Sequence, residues 1–201
     1  FIVVSGKLFE SAVMKTSVIS QDFRERFLSH PGKENIHEAR AVVFEGPEHY
    51  HAAINDPALE IDPETILFIR GVGCVGYPGS AEVVNMLPPD AIVKQGINHL
   101  PTVGDGRQSG TSESPSILNA SPESVVGGGL ALLNTGDRVR LDLNACTLNA
   151  LVDDDEWAAR RAAWTPPELV HQTPWQQLYR ENVGQLADGG CLELATSFQK
   201  I

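Results

Sequence analysis

At 201 residues and 42% hydrophobic content, the chain has enough apolar mass for one sizeable core, and a single domain over residues 1–201 is expected. A net charge of -11 with no basic stripe argues against a nucleic-acid partner, since phosphate binding needs clustered Lys and Arg. Three scattered cysteines, Cys74, Cys146 and Cys191, with no CxxC pair, argue against structural zinc or a disulfide framework; no apolar run approaches the ~20 residues of a membrane span, so a cytoplasmic location is expected.

In chain order, FIVVSG opens on an apolar run that predicts a buried strand and, with no initiator Met, reads as part of a longer polypeptide. LFESAVM (Leu8 to Met14) pairs with it, and DFRERFLSH (Asp22 to His30) has the acidic start and apolar spacing of a short helix. ARAVVF (Ala39 to Phe44) is a strand ended by the turn residues Gly46 and Pro47, followed by a helix over EHYHAAIN. TILFIRG (Thr65 to Gly71) is a further buried strand. GVGCVGYPGS, from Gly71 to Ser80, has four glycines and a proline, so its backbone turns sharply or approaches something closely. AEVVNML then predicts a helix beginning near Ser80.

After Leu100, PTVGDGRQSGTSESPSI is polar and hydroxyl-rich between apolar flanks, the kind of loop that carries chemistry. Alternation from Val139 predicts a hairpin, with Thr135, Gly136 and Asp137 as its turn. Asp153 to Trp164 is a helix with an acidic first turn, and a last amphipathic helix spans Thr173 to Leu186 with Pro174 at its first position. Many short strands with intervening helices predict an α/β fold class, a β-barrel-like domain of mixed short strands flanked by helices.

Two places could carry chemistry. Ser109, in the Asp105 to Ser116 loop and followed at once by Gly110 and Thr111, would present its oxygen beside open backbone amides, a setting for an anion or a metal. A capped turn is the commoner explanation of the same residues. Glu82, near the start of the helix expected after the glycine-rich turn, could ligate a hard divalent cation or simply cap that helix. His49 and His51 are two residues apart and point to different faces, so a packing or solvated role is expected of both.

YPGSAEVVNMLPPD (Tyr77 to Asp90), GDGRQSGTSESPSILNASPES (Gly104 to Ser124) and GGGLALLNTGDRVRLDL (Gly127 to Leu143) together resemble the dihydroxy-acid and phosphogluconate dehydratase family. SGKLFESAVMKTSVIS, VVFEGPEHYHAAINDPALEI and QTPWQQLYRENV extend the likeness over nearly the whole chain. Within the family, GRQSGTS followed by SPSILNASPE resembles the aldonate dehydratases of the arabinonate and xylonate type more than the branched-chain enzymes, which look more like GRFSGGTHG.

The resemblance implies a carboxyl-terminal domain of the swivelling β/β/α type, belonging to a hydro-lyase that dehydrates a sugar acid to its 2-keto-3-deoxy acid, with Mg2+ and a [2Fe-2S] cluster as cofactors. It implies Ser109 as the base, Glu82 as a magnesium ligand, Gly110 and Thr111 at the substrate, and Asp105 and Arg107 as loop braces, reversing the preference for capping. It implies further that the cluster ligands and a partner amino-terminal domain lie elsewhere in the same protein, that this chain alone is inactive, and that the whole forms a homodimer or homotetramer. Departures from the family pattern are Glu113 in place of a glycine, Lys7 in place of asparagine and Cys74 where proline is common. They keep open a branched-chain dihydroxy-acid dehydratase, or a non-catalytic relic serving as a scaffold.

Overall fold

The computed structural model describes residues 1–80, 82, 86–107 and 113–198. Eight strands close into a barrel: β1 (Ile2–Gly6), β2 (Phe9–Met14), β3 (Ile36–Glu45), β4 (Ile66–Arg70), β5 (Thr102–Gly104), β6 (Ser116–Ser121), β7 (Arg138–Asp142) and β8 (Thr147–Ala150), in the spatial order β1-β2-β6-β5-β4-β3-β7-β8. β3, β4, β5 and β6 run parallel to their neighbours in that series, and β1 is parallel to β8. The other pairings are antiparallel. Parallel running means that the carboxyl ends of β4, β5 and β6 emerge at one rim.

Why β3 and β4 read as unbroken apolar runs follows from burial on both faces. Successive side chains alternate across a strand, so Ala41, Val43, Ile66 and Phe68 enter the barrel core with Val4, Met14, Val103, Ile117, Val139 and Leu148. Val42, Phe44, Leu67 and Ile69 face outward and pack with Tyr50, Met86 and Leu100 in a second cluster. This outer layer is covered by α2 (Gly46–Ala53). Gly46 and Pro47 therefore do not end β3 in a turn. They are the first residues of the helix, where proline's missing N–H costs nothing.

Local chemistry sets the remaining helices. α1 (Gln21–Phe27) is capped by the Ser20 hydroxyl accepting from Phe23 N, and Phe23 anchors it in the core. A short α3 (Asp90–Val93) follows Pro89. α4 (Asp154–Ala163) is capped by Asp153 and inserts Trp157 into the barrel core; the Arg160 fork grips Asp137 at 2.6 and 3.0 Å. α5 (Pro174–Asn182) is capped by Thr173 and ends at Asn182, short of Leu186, because Val183 bridges to Leu192. A last turn, α6 (Glu193–Thr196), follows.

Two further expectations change. The segment after Leu100 is not loop throughout, since Thr102, Val103 and Gly104 form β5 and are buried between β4 and β6. The hairpin exists as β7 and β8, but residues 143–146 close it; the Asp142 carboxylate accepts from Asn144 N and Ala145 N, and Cys146 takes φ 54. Thr135 to Asp137 instead lead into β7, which pairs with β3. No helix among the described residues is long and apolar enough to cross a membrane.

Candidate functional site

The glycine-rich turn leaves the carboxyl end of β4, the loop that leads to Ser109 leaves the end of β5, and Pro122 to Ser124 leave the end of β6. Because those strands are parallel neighbours, the three segments meet at one rim. Asp105, fully buried, knits them together. Its carboxylate accepts from Gly71 N at 3.1 Å, Val72 N at 3.0 Å, Ser124 N at 2.9 Å and the Ser124 hydroxyl at 2.6 Å. One residue further on, Gly106 has no room for a side chain, because a Cβ would stand 2.5 Å from Val72 O. Arg107, exposed, donates from Nε to Ser80 O at 2.7 Å and so ties the loop to the far end of the turn.

Glu82 is exposed and lies in no helix or strand, so the helix-dipole support expected for its carboxylate is not what places it. The glycine-rich turn ends two residues earlier, at Ser80. Ser109, Gly110 and Thr111 lie outside the described residues, as do residues 81 and 83–85 of the expected AEVVNML helix. The structure thus describes the two ends that hold the Ser109 loop, Arg107 and Glu113, and the turn that carries Glu82.

Glu113 turns its carboxylate toward His99, 3.8 Å from Nε2, and is two-thirds exposed, while its carbonyl accepts from Ser20 N at 2.8 Å. The other departures have structural work. Lys7 joins the β1–β2 turn to β8 and α4, its backbone N–H donating to Asn149 Oδ1 and its ammonium to Val152 O and Asp154. Cys74 is buried beside Tyr179, and burial pushes its thiol pKa up, opposed by a hydrogen bond with Tyr179. His49 accepts from Glu45 N at the start of α2 through Nδ1.

Sequence reasoning missed Glu123. It is 2% exposed, and its carboxylate accepts from Val75 N, Gly76 N and Gln185 Nε2. Burial pushes its pKa up, opposed by the Gly76 and Val75 N–H bonds. A cavity of about 430 Å³ opens beside the turn between Glu48, Tyr77, Ser124 and Trp164, but neither Glu82 nor Asp105 lines it.

A polar ligand suits the rim. Ser80 Oγ and Asn119 Oδ1 are buried without partners among the described residues, and both residues hold left-handed backbone, φ 46 and 58. Both are bonded to the Asp105 to Arg107 segment, Ser80 through its carbonyl and Asn119 by its N–H to Gly106 O at 2.9 Å. Glu82, two residues from Ser80 in sequence, adds an exposed carboxylate, and oxygen donors of these kinds are the ones magnesium prefers. They do not fit an iron-sulfur cluster on this chain, for Cys74, Cys146 and Cys191 stand as separate thiols, buried, half-buried and exposed, and no group of three metal-ligating side chains occurs among the described residues.

Parallel strand ends that gather the Gly71 to Ser80 turn, the Asp105 to Arg107 segment and Pro122 to Ser124 at one rim define a barrel domain with a polar rim. The chain belongs to the dihydroxy-acid/6-phosphogluconate dehydratase C-terminal family, whose sequence profile matches residues 1–191. It is 57% identical over 201 residues to the D-xylonate dehydratase of Caulobacter vibrioides, covering 100% of this chain and 34% of that protein. To the L-arabinonate dehydratase of Rhizobium leguminosarum bv. trifolii it is 38% identical over 158 residues, 79% of this chain and 27% of the other. To the dihydroxy-acid dehydratase of Clostridium beijerinckii it is 41% identical over 159 residues, 79% and 28%. The chain spans about a third of the length of these relatives.

Proposed function

We propose that this chain is the carboxyl-terminal domain of a hydro-lyase that removes water from an aldonate to give the 2-keto-3-deoxy acid. Supporting the class is the family membership, and supporting the aldonate is the 57% identity to a D-xylonate dehydratase over the full chain. The observation that carries the reading at the level of atoms is the joining of the Glu82 turn to the Ser109 loop through Asp105 and Arg107.

In this reading Ser109 takes the proton from C2 as the C3–oxygen bond breaks, a C2=C3 double bond forms, and the resulting enol tautomerises to the ketone. Each half of such an elimination needs its own group, a base for the proton and an acid for the departing hydroxyl. The bound metal groups supply Lewis acidity that draws electrons away from that hydroxyl. Glu82 holds magnesium on this side of the active site, and backbone N–H groups at Gly110 and Thr111 hold the substrate carboxylate. Asp105 and Arg107 keep the two loops in register, while the cluster is held by the remainder of a longer polypeptide, which assembles as a homodimer or homotetramer.

The test is an anaerobic assay of the full-length protein, loaded with Mg2+ and cluster, on a panel of aldonates with 2,3-dihydroxyisovalerate as the branched-chain comparison. Turnover of an aldonate that falls at least about 100-fold in Ser109→Ala is expected. Preference for the branched-chain acid would move the assignment to its dihydroxy-acid relatives. No turnover of any acid by a fully loaded protein would make the domain a scaffold.

A further inference from the structure

Glu123 and Arg180 grip one stretch of backbone from opposite sides. Glu123, delivered by the end of β6, accepts from Val75 N at 3.0 and 3.1 Å and from Gly76 N at 2.9 Å. Arg180, on α5, donates from Nε to Val75 O at 2.8 Å and from Nη2 to Gly76 O at 3.0 Å. The amide linking Val75 to Gly76 therefore has an anion at its N–H and a cation at its C=O, each favouring the same orientation of its dipole. Gln185 fixes the carboxylate by a reciprocal pair, Nε2 to Glu123 Oε1 at 3.0 Å and Glu123 N to Gln185 Oε1 at 2.8 Å. Arg180 Nη1 is held in turn by Val170 O at 2.6 Å.

Two glycines of the turn leave no room for a side chain. A Cβ on Gly73 would lie 2.5 Å from Glu123 Oε2, and one on Gly76 would lie 2.6 Å from Gly71 O. Closing a turn does not demand this much. The Asp62 to Thr65 turn is closed by Asp62 Oδ1 accepting from Glu64 N, Thr65 N and the Thr65 hydroxyl, with no basic partner in that bond set. Setting a desolvated carboxylate and a guanidinium around the turn is costly unless both are fully bonded, and the return is rigidity. Burial accordingly pushes Glu123 up and Arg180 down, and the attraction of Glu123 opposes the shift on Arg180.

We propose that Glu123 and Arg180 are positioning residues that fix the Gly71 to Ser80 turn so that Glu82 meets its divalent cation in one set geometry. The inference rests on Glu82 being the metal ligand. Magnesium tolerates little departure from octahedral coordination, so a turn that drifts loses affinity before it loses its fold. Neither residue touches the ion.

The test uses the full-length protein and Mg2+ alone as the probe, titrated calorimetrically without substrate, alongside amide hydrogen exchange at Cys74 to Tyr77. Arg180→Gln is expected to weaken Mg2+ binding by roughly 10-fold, in the range seen when supporting partners of a metal ligand are removed. The defect should appear in the Mg2+ concentration for half-maximal activity rather than in turnover at saturating Mg2+. Arg180→Lys, which restores the charge but not both prongs, should recover part of the affinity. Glu123→Gln is the harsher variant; the Arg180 series decides the matter even where that protein does not fold. Faster exchange at Gly76 with Mg2+ affinity within twofold of wild type, while Glu82→Gln does lose the ion, would overturn the positioning role alone. Unchanged Mg2+ binding in Glu82→Gln would overturn the ligand assignment and the positioning role with it.

Discussion

The Asp105 carboxylate lies 2.6 Å from the hydroxyl of Ser124, and the same hydroxyl accepts from Gly71 N at 2.9 Å. Two side chains from the ends of β5 and β6 thus close a hydrogen-bonded ring on the first residue after β4. Every donor in the ring faces a carboxylate or a hydroxyl oxygen, and Asp105 and Ser124 are buried while Gly71 is partly so.

Asp105→Asn should be far more damaging than its size change implies. An amide NH2 placed against backbone donors leaves buried groups unpaired, and a loss of about 2 to 4 kcal/mol in urea unfolding is expected. Ser124→Ala, which leaves Asp105 its backbone partners, should cost about 1 kcal/mol. Since the two share one network, the double variant should lose less than the sum. Additive losses would mean that the ring does not act as a unit.

Glycine substitutions in the turn should separate crowding from strain. Gly73→Ala and Gly76→Ala each bring a methyl within 2.6 Å of a fixed oxygen, and each should cost about 2 kcal/mol or more. Gly79 has φ +89 with open space around its Cβ position, so Gly79→Ala should cost only about 1 kcal/mol of backbone strain. Equal losses at all three positions in thermal unfolding would show that conformation, not contact with Glu123 and Gly71, restricts the turn.

Much of this architecture is written locally, and the site is not. β3 and β4 are legible because burial on both faces demands continuous apolar runs, and α4 and α5 because Asp153, Thr173 and Pro174 mark their starts. β5 is hidden because three residues, two of them Thr and Gly, become a strand only when β4 and β6 close on either side. The sequence points to Thr135 to Asp137 for the hairpin turn because residues 143–146 carry no Asn-Gly or Asp-Gly signal. Glu123 carries no local sign of its role. Its partners are 47 and 48 residues earlier and 62 later, and only the parallel arrangement of β4 and β6 brings them together.

The pH dependence of stability should carry Glu123's signature. Burial holds its native pKa above the ordinary glutamate value, so the folded chain binds this proton more tightly than the unfolded chain does. The stability it contributes is therefore greatest below the ordinary value and falls as pH rises through the raised one. Other carboxylates act in the opposite sense, so the quantity to measure is the difference in unfolding free energy between wild type and Glu123→Gln, from pH ~4 to ~8. That difference should decline with pH. A rise would mean that the N–H bonds outweigh burial and that the native carboxyl is the stronger acid.

Arg107 offers the sharpest separation of stability from function. Its side chain is exposed and it donates to the carbonyl of buried Ser80, so Arg107→Ala should change the chain's unfolding free energy by only about 1 kcal/mol. The same bond spans the two loops that carry Ser109 and Glu82. A base and a metal ligand on separate loops work only at a fixed separation, and misplacement of about 1 Å costs up to roughly 100-fold in rate. Arg107→Ala in the full-length protein should therefore lower turnover at least about 10-fold with the melting temperature only slightly lowered, and Arg107→Lys should recover little, because an ammonium on a flexible stem cannot reproduce the fixed Nε geometry. Activity and stability falling in step would reduce Arg107 to an ordinary surface contact, and the coupling of the two loops would then rest on Asp105 alone.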